Sequence, residues 1–178
     1  GLPLGAFMAR SEIMESLNAE LCASTIAGYQ LSCVAGAVQF DYMCTEKFRL
    51  MFDYKSKLFF SLAKKLVCKN KWNFKLKLVG LGFSYGIQVF DKDNNKDRFS
   101  AFKIAFCCYE RGLLLITVGG NTLRLQPPFS ISIENLIKGF EQLECAICDV
   151  DSGYATDEML HFYKRRYPES KDNIGENK

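Results

Sequence analysis

The 178 residues suffice for one compact domain and part of a second, and a 48% hydrophobic, 24% charged composition is that of an ordinary globular chain. No apolar run approaches the roughly 20 residues a helix needs to cross a bilayer, and GLPLGAFMARSEIM meets charge at Arg10, so neither a membrane span nor a secretory leader is expected. The single histidine, His161, excludes a histidine-rich metal site. The chain opens on Gly1 rather than Met, which suggests a piece of a longer polypeptide.

In chain order, residues 1–9 form a Gly/Pro-punctuated lead into a short buried strand at 6–9. Ser11 then caps a brief helix, with Glu12 and Glu15 near its first turn, where the dipole favours acids. Residues 18–28 read as a loop. From 30 to 46 the run is rich in Ala, Gly, Ser and Cys, which predicts a helix packed closely against other elements. The next helix, 47–69, places Phe48, Phe52, Phe59, Leu62 and Leu66 at recurring spacings of three and four.

Two strands follow at 76–79 and 85–90, separated by Gly80-Leu81-Gly82, and 91–95 is a polar turn. Asp97 or Ser100 starts a helix whose face is Phe102, Ala105, Phe106 and Tyr109, and Gly112 stops it. Two apolar runs, 113–116 and 122–125, are joined by Gly119-Gly120-Asn121, residues that accept the positive φ of a tight turn. Pro127-Pro128 ends the second run, because proline cannot donate to a ladder. Ser132 caps a helix over 133–150 with a Leu136, Phe140, Leu143, Ile147 stripe, and Ser152-Gly153 closes it. Thr156 caps a last turn set bearing Leu160, Tyr163 and Tyr167, and the end of the chain reads as disordered. Strand, strand, helix, strand, strand, helix is an α+β layer: a small antiparallel-rich sheet packed with helices.

Eight cysteines are present. Their placement in helices and loops points to reduced thiols and a cytoplasmic setting rather than a disulfide framework. Cys145-Ala-Ile-Cys148 is a CxxC without a second pair at zinc spacing; core packing is the expectation, with a redox or metal role as the alternative. Residues 47–77 hold many lysines and few acids, which reads either as a solvated helix face or as a surface for phosphate polymers.

One cation stands apart. Arg124 lies between Leu123 and Leu125, so strand alternation points it away from both. A strand arginine can be solvated or salt-bridged, or, beside a double proline, it can hold an anion at the edge of the sheet.

Three blocks, in order, resemble the C-terminal part of the class III aminotransferases, the pyridoxal-phosphate enzymes that include 4-aminobutyrate and ornithine transaminases. GLPLGAFMARSEIM resembles the segment after that family's Schiff-base lysine. Residues 23–28, ASTIAG, resemble its S-T-F-[GA]-G-N-P loop. Residues 111–131, RGLLLITVGGNTLRLQPPFSI, resemble its R-G-L-L…G-N-x-[IL]-R-x-x-P-P-L-x-I block. The likeness covers about residues 1–150.

The resemblance implies an α/β fold, the C-terminal part of a fold-type I transferase. It gives the end of the cofactor-binding large domain over 1–46 (strand, phosphate loop, helix), a small α+β domain over 47–150, and an extension over 151–178. It implies pyridoxal 5'-phosphate as cofactor, with Ser24 and Thr25 at the phosphate bound by a neighbouring subunit, hence a homodimer. It implies Arg124 as the clamp on the substrate carboxylate. The reaction would move an amino group from an amino acid or ω-amino donor to a 2-oxo acid, with neither nucleic acid nor membrane as partner.

Tyr29-Gln30 stands where the family has Asn-Pro, and Val79 where Arg often precedes Gly-x-Gly. The Schiff-base lysine and the acid facing the pyridine nitrogen belong upstream of Gly1, so these residues alone are not expected to transaminate. A non-catalytic or dimerisation module, and a basic nucleic-acid-binding domain, remain the alternatives.

Overall fold

A computed structural model describes residues 2–17 and 25–160. The chain divides into two compact units, Gly1–Asp53 and Tyr54–Lys178.

In the first unit, α1 (Ser11–Glu15) has Arg10 rather than Ser11 at its N-cap, without a side-chain capping bond, and Glu12 in its first turn. No strand forms at 6–9, and those residues are exposed. An extended segment needs a ladder partner, and among the described residues the strands lie between residues 75 and 125. α2 (Gln30–Met43) forms as expected, but of its residues only Ser32 is buried. Its small residues do admit one close neighbour: a Cβ at Gly36 would come within 2.0 Å of Leu4 Cδ2. Val34, Val38 and Phe40 stay exposed, contrary to the expected close packing. The Thr45 hydroxyl, just ahead of α3 (Glu46–Val67), accepts from the Phe48 N–H at 3.2 Å, and Tyr42 meets Phe48 edge-on at 5.3 Å.

In the second unit, β1 (Lys75–Leu81), β2 (Ser84–Phe90), β3 (Ile116–Val118) and β4 (Thr122–Leu125) form one antiparallel sheet in the order β1-β2-β4-β3. The first hairpin is longer than expected. Gly80 and Leu81 join β1, and Gly82-Phe83 alone make the turn. Gly80 permits this because a Cβ there would lie 2.2 Å from the Ser84 carbonyl oxygen. The polar turn forms around Asp91, whose Oδ1 accepts from the N–H groups of Asp93 and Asn95 at 2.9 and 2.8 Å. Those bonds, chiefly from Asn95, hold the Asp91 carboxyl below its ordinary pKa.

α4 (Arg98–Glu110) is capped by Asp97, whose side chain accepts from Ser100 N–H at 2.9 Å. It ends in a Schellman arrangement: Leu113 N–H reaches Cys108 O at 2.8 Å, Gly112 N–H reaches Tyr109 O at 2.9 Å, and Gly112 has φ +76°. The buried face differs from the expected one. Ala101, Phe102, Ile104, Cys107 and Cys108 are buried, whereas Tyr109 is 65% exposed. α4 touches α5 as well as β2, β3 and β4, so a wide arc is covered and no single stripe stands out.

α5 (Ile133–Asp151) carries the predicted core stripe of Leu136, Phe140, Leu143 and Ile147, and Ser132 accepts from Asn135 N–H at 3.1 Å. Cys145 and Cys148 fall off that stripe and are exposed, which corrects their assignment to the core. Phe59, Ala63 and Leu66 of α3, Ile87 and Val89 of β2, and Leu123 of β4 complete the interior. A short 3₁₀ turn, Asp157–Leu160, buries Leu160. His161, Tyr163, Tyr167 and the expected disorder lie outside the described residues. Among the described residues no helix is long and apolar enough to cross a membrane, and no group of side chains could hold a metal ion.

Candidate functional site

Arg124 is fixed by the turn that precedes it. Gly119 and Gly120 take φ of +60° and +87°, and the next residue, Asn121, is 1% exposed. Its amide Nδ2 donates to Val89 O at 2.7 Å, while Val89 N–H donates to Asn121 O at 2.9 Å. The hairpin is thereby pinned to β2, and the ladder opposes Arg124 to Gly86 on one side and Ile116 on the other. Leu123 and Leu125 point into the core and Arg124 away from it, as alternation requires. The first strand begins at Ile116, not at Leu113. Residues 112 and 113 are used in capping α4, so the chain reaches ladder geometry three residues later.

Arg124 lines a cleft of about 510 Å³. Residues 113–116 form one wall, 125–128 and Ile131 another, and Leu136, Gly139, Phe140 and Leu143 of α5 the floor. Among the described residues that line it, Arg124 carries the one formal charge; Gln126 and Asn135 are the other polar side chains. No described acid pairs with Arg124; ion pairs elsewhere include Lys69 with Glu144, Lys103 with Asp157 and Arg111 with Asp149. An exposed arginine without an acid beside it leaves its guanidinium donors available to an anion.

The outer wall is held by a residue the sequence did not single out. Lys55 of α3 donates through Nζ to the carbonyls of Phe129 and Ile131, at 3.0 and 2.6 Å. Phe129 in turn stacks edge-on against Phe83 at 5.5 Å. The signal was present: Lys55 falls three residues after Phe52 and four before Phe59, on the apolar stripe rather than among the solvated lysines.

Thr25 belongs to the first unit. It opens a turn, 25–28, closed by Gly28 at φ +71° and by Tyr29 N–H donating to Ile26 O at 3.2 Å. Residues 25–31 surround a hollow of about 420 Å³ ahead of α2. Tyr29, the N-cap, supplies no side-chain bond, so that helix terminus presents uncapped N–H groups, and Thr25 lines the same hollow. This donor set fits the phosphate end of pyridoxal phosphate. Nothing in the hollow's lining offers an amine or a carboxylate to the ring end. Ser24 lies outside the described residues.

Cys107 and Cys108 are poor nucleophile candidates. Burial pushes both thiols up, Cys108 to about 12.

The sequence pattern of the class III aminotransferases matches residues 1–147. The chain is 34% identical over 166 residues to leucine/methionine racemase from Thermococcus litoralis, covering 91% of this chain and 37% of that protein. It is 30% identical over 152 residues to mitochondrial acetylornithine aminotransferase from Eremothecium gossypii, covering 85% and 34%. The crystal structure of acetylornithine aminotransferase from Elizabethkingia anophelis superposes with a TM-score of 0.60 at 27% identity, covering 80% of this chain and 36% of that one. The chain therefore spans little more than a third of these relatives. Its four-stranded antiparallel sheet with flanking helices is the C-terminal architecture expected from the resemblance. The chain belongs to the class III aminotransferases, a family of pyridoxal-phosphate-dependent enzymes.

Proposed function

We propose that these residues form the C-terminal part of an enzyme that transfers an amino group from an amino acid or ω-amino donor to a 2-oxo acid. The observation that carries this reading is Arg124, unpaired among the described residues at the rim of an apolar cleft. Its planar guanidinium would take the substrate carboxylate through two parallel N–H···O bonds, fixing the orientation of the amino group at the other end. Thr25, with Ser24, would hold the cofactor phosphate through hydroxyl and backbone donors at the start of α2. Pyridoxal phosphate, when bound, supplies an electron sink for charge developing on the substrate carbon.

By the resemblance, the amine that tethers the cofactor and the acid that faces its ring nitrogen would come from residues outside this stretch. We therefore assign the chain binding roles and assign turnover to the longer polypeptide. That enzyme would act as a homodimer in this reading, with the Thr25 loop serving a neighbouring subunit's phosphate, and its free thiols support a cytoplasmic setting. Arg124→Lys in the complete enzyme tests the assignment: KM for the carboxylate substrate should rise more than tenfold, because a point ammonium cannot reproduce the fork. An unchanged KM removes Arg124 from the site.

A second reading rests on the 34% identity to leucine/methionine racemase. In it, the same clamp holds an amino acid while a proton leaves one face of its α-carbon and returns to the other. Incubation with a single enantiomer separates the two. Interconversion without a 2-oxo acid acceptor indicates racemisation, and acceptor-dependent loss of the amine indicates transfer.

A further inference from the structure

Gly139 stands in the interior of α5 and lines the Arg124 cleft. Glycine is a poor helix residue, so an interior glycine has a local reason or none. Among the described residues there is no steric reason: a Cβ built on Gly139 would meet Leu113 Cδ1 alone, at 3.8 Å, an ordinary contact. Nor is its backbone among those with positive φ. What the missing side chain leaves is depth, in a floor otherwise made of Leu136, Phe140 and Leu143.

We infer that the cleft takes a carboxylate bearing an unbranched apolar chain, with Arg124 holding the carboxylate at the rim and Gly139 setting how long a chain the floor admits. This rests on the assignment of Arg124 to a carboxylate made above, and it adds the class of substrate. A cleft of about 510 Å³ is of the size that encloses small ligands. Charge complementarity selects the head, since the one cation of the lining has no acid beside it among the described residues. The walls select the tail. Leu114 and Ile116 present exposed apolar surface, and Gln126 and Asn135 are the only uncharged polar side chains described there, too few to solvate a polar chain along its length.

The test is a binding series on the complete protein by calorimetry, with acetate, butyrate, hexanoate and octanoate and the matching alcohols. For each methylene that enters the cleft, affinity for the acids should improve about fourfold. Arg124→Gln should weaken every acid and leave the alcohols unchanged. Gly139→Leu should weaken octanoate at least tenfold, an order-of-magnitude expectation for a blocked apolar subsite, while sparing acetate. Gly139→Ala, which favours the helix and so guards against misfolding, should give a smaller loss of the same kind.

Acids that bind with Arg124-dependent but flat affinity along the series overturn the apolar subsite and leave the carboxylate clamp standing. A gradient indifferent to Arg124→Gln overturns the carboxylate clamp and the inference that rests on it. A gradient that survives Gly139→Leu places the chain elsewhere and overturns the role of Gly139.

Discussion

Arg124 of β4 lies directly opposite Gly86 of β2 in the antiparallel ladder. Cross-strand partners share a face, so the arginine's neighbour on that side has no side chain. The face is nonetheless crowded one step along: a Cβ at Gly86 would lie 2.6 Å from Thr122 Cγ2 and 3.3 Å from Val79 Cγ2. Gly86→Ala should therefore destabilise the protein by about 1–3 kcal/mol, the usual range for overpacking. Thr122→Ser removes the offending methyl and should recover most of that loss in the double variant, a coupling that denaturant midpoints will measure.

Asn121 is the second support of the hairpin. Its buried amide donates to Val89 O, which also accepts from Asp97 N–H at 3.1 Å, so Asn121→Leu would remove one of that carbonyl's two bonds. A loss of about 0.5–1.5 kcal/mol is expected. Equilibrium unfolding should show it, and amide exchange should quicken across Val89 first.

Lys55 offers a test of the cleft wall. Lys55→Met keeps the length of the side chain but removes both bonds to the carbonyls of Phe129 and Ile131. Stability should fall by about 1–3 kcal/mol. Because residues 127–131 border the cleft, KM should rise while kcat holds, a split that simple loss of folded protein does not produce.

Much of this was legible from local chemistry. The α5 stripe, the Ser132 and Asp97 caps, the Gly112 stop and the outward direction of Arg124 each follow from spacing or from a residue's own backbone preference. What was not legible depends on partners distant in sequence. The run 113–115 has the composition of a strand, yet the capping of α4 takes up its first residue and the ladder begins at Ile116. The run 6–9 likewise reads as a strand and has nothing to pair with among the described strands. The cleft joins Phe59 of α3, the hairpin and α5, so Gly139 does not stand out until the fold brings those three together.

The cysteines separate by environment. Cys33, Cys44, Cys68, Cys145 and Cys148 are exposed, whereas Cys107 and Cys108 are buried. A thiol reagent at mildly alkaline pH should label the first group quickly and the vicinal pair only on unfolding. Cys108 also ties stability to pH. Its folded pKa of about 12 exceeds the ordinary thiol value of 9.0, so the neutral thiol favours the folded state. That contribution is complete below pH 9.0 and should be lost progressively between 9.0 and about 12. Cys108→Ala should flatten the alkaline limb of a pH–stability profile.

The guanidinium–carboxylate contact can be measured directly in the complete enzyme by comparing an amino donor with its carboxamide analogue, in the wild type and in Arg124→Gln. The wild type should favour the carboxylate in kcat/KM by about tenfold or more, as a charge-assisted bidentate pair implies. Arg124→Gln should bring the two substrates to near equality. A preference for the carboxylate that persists undiminished in Arg124→Gln would contradict the central claim.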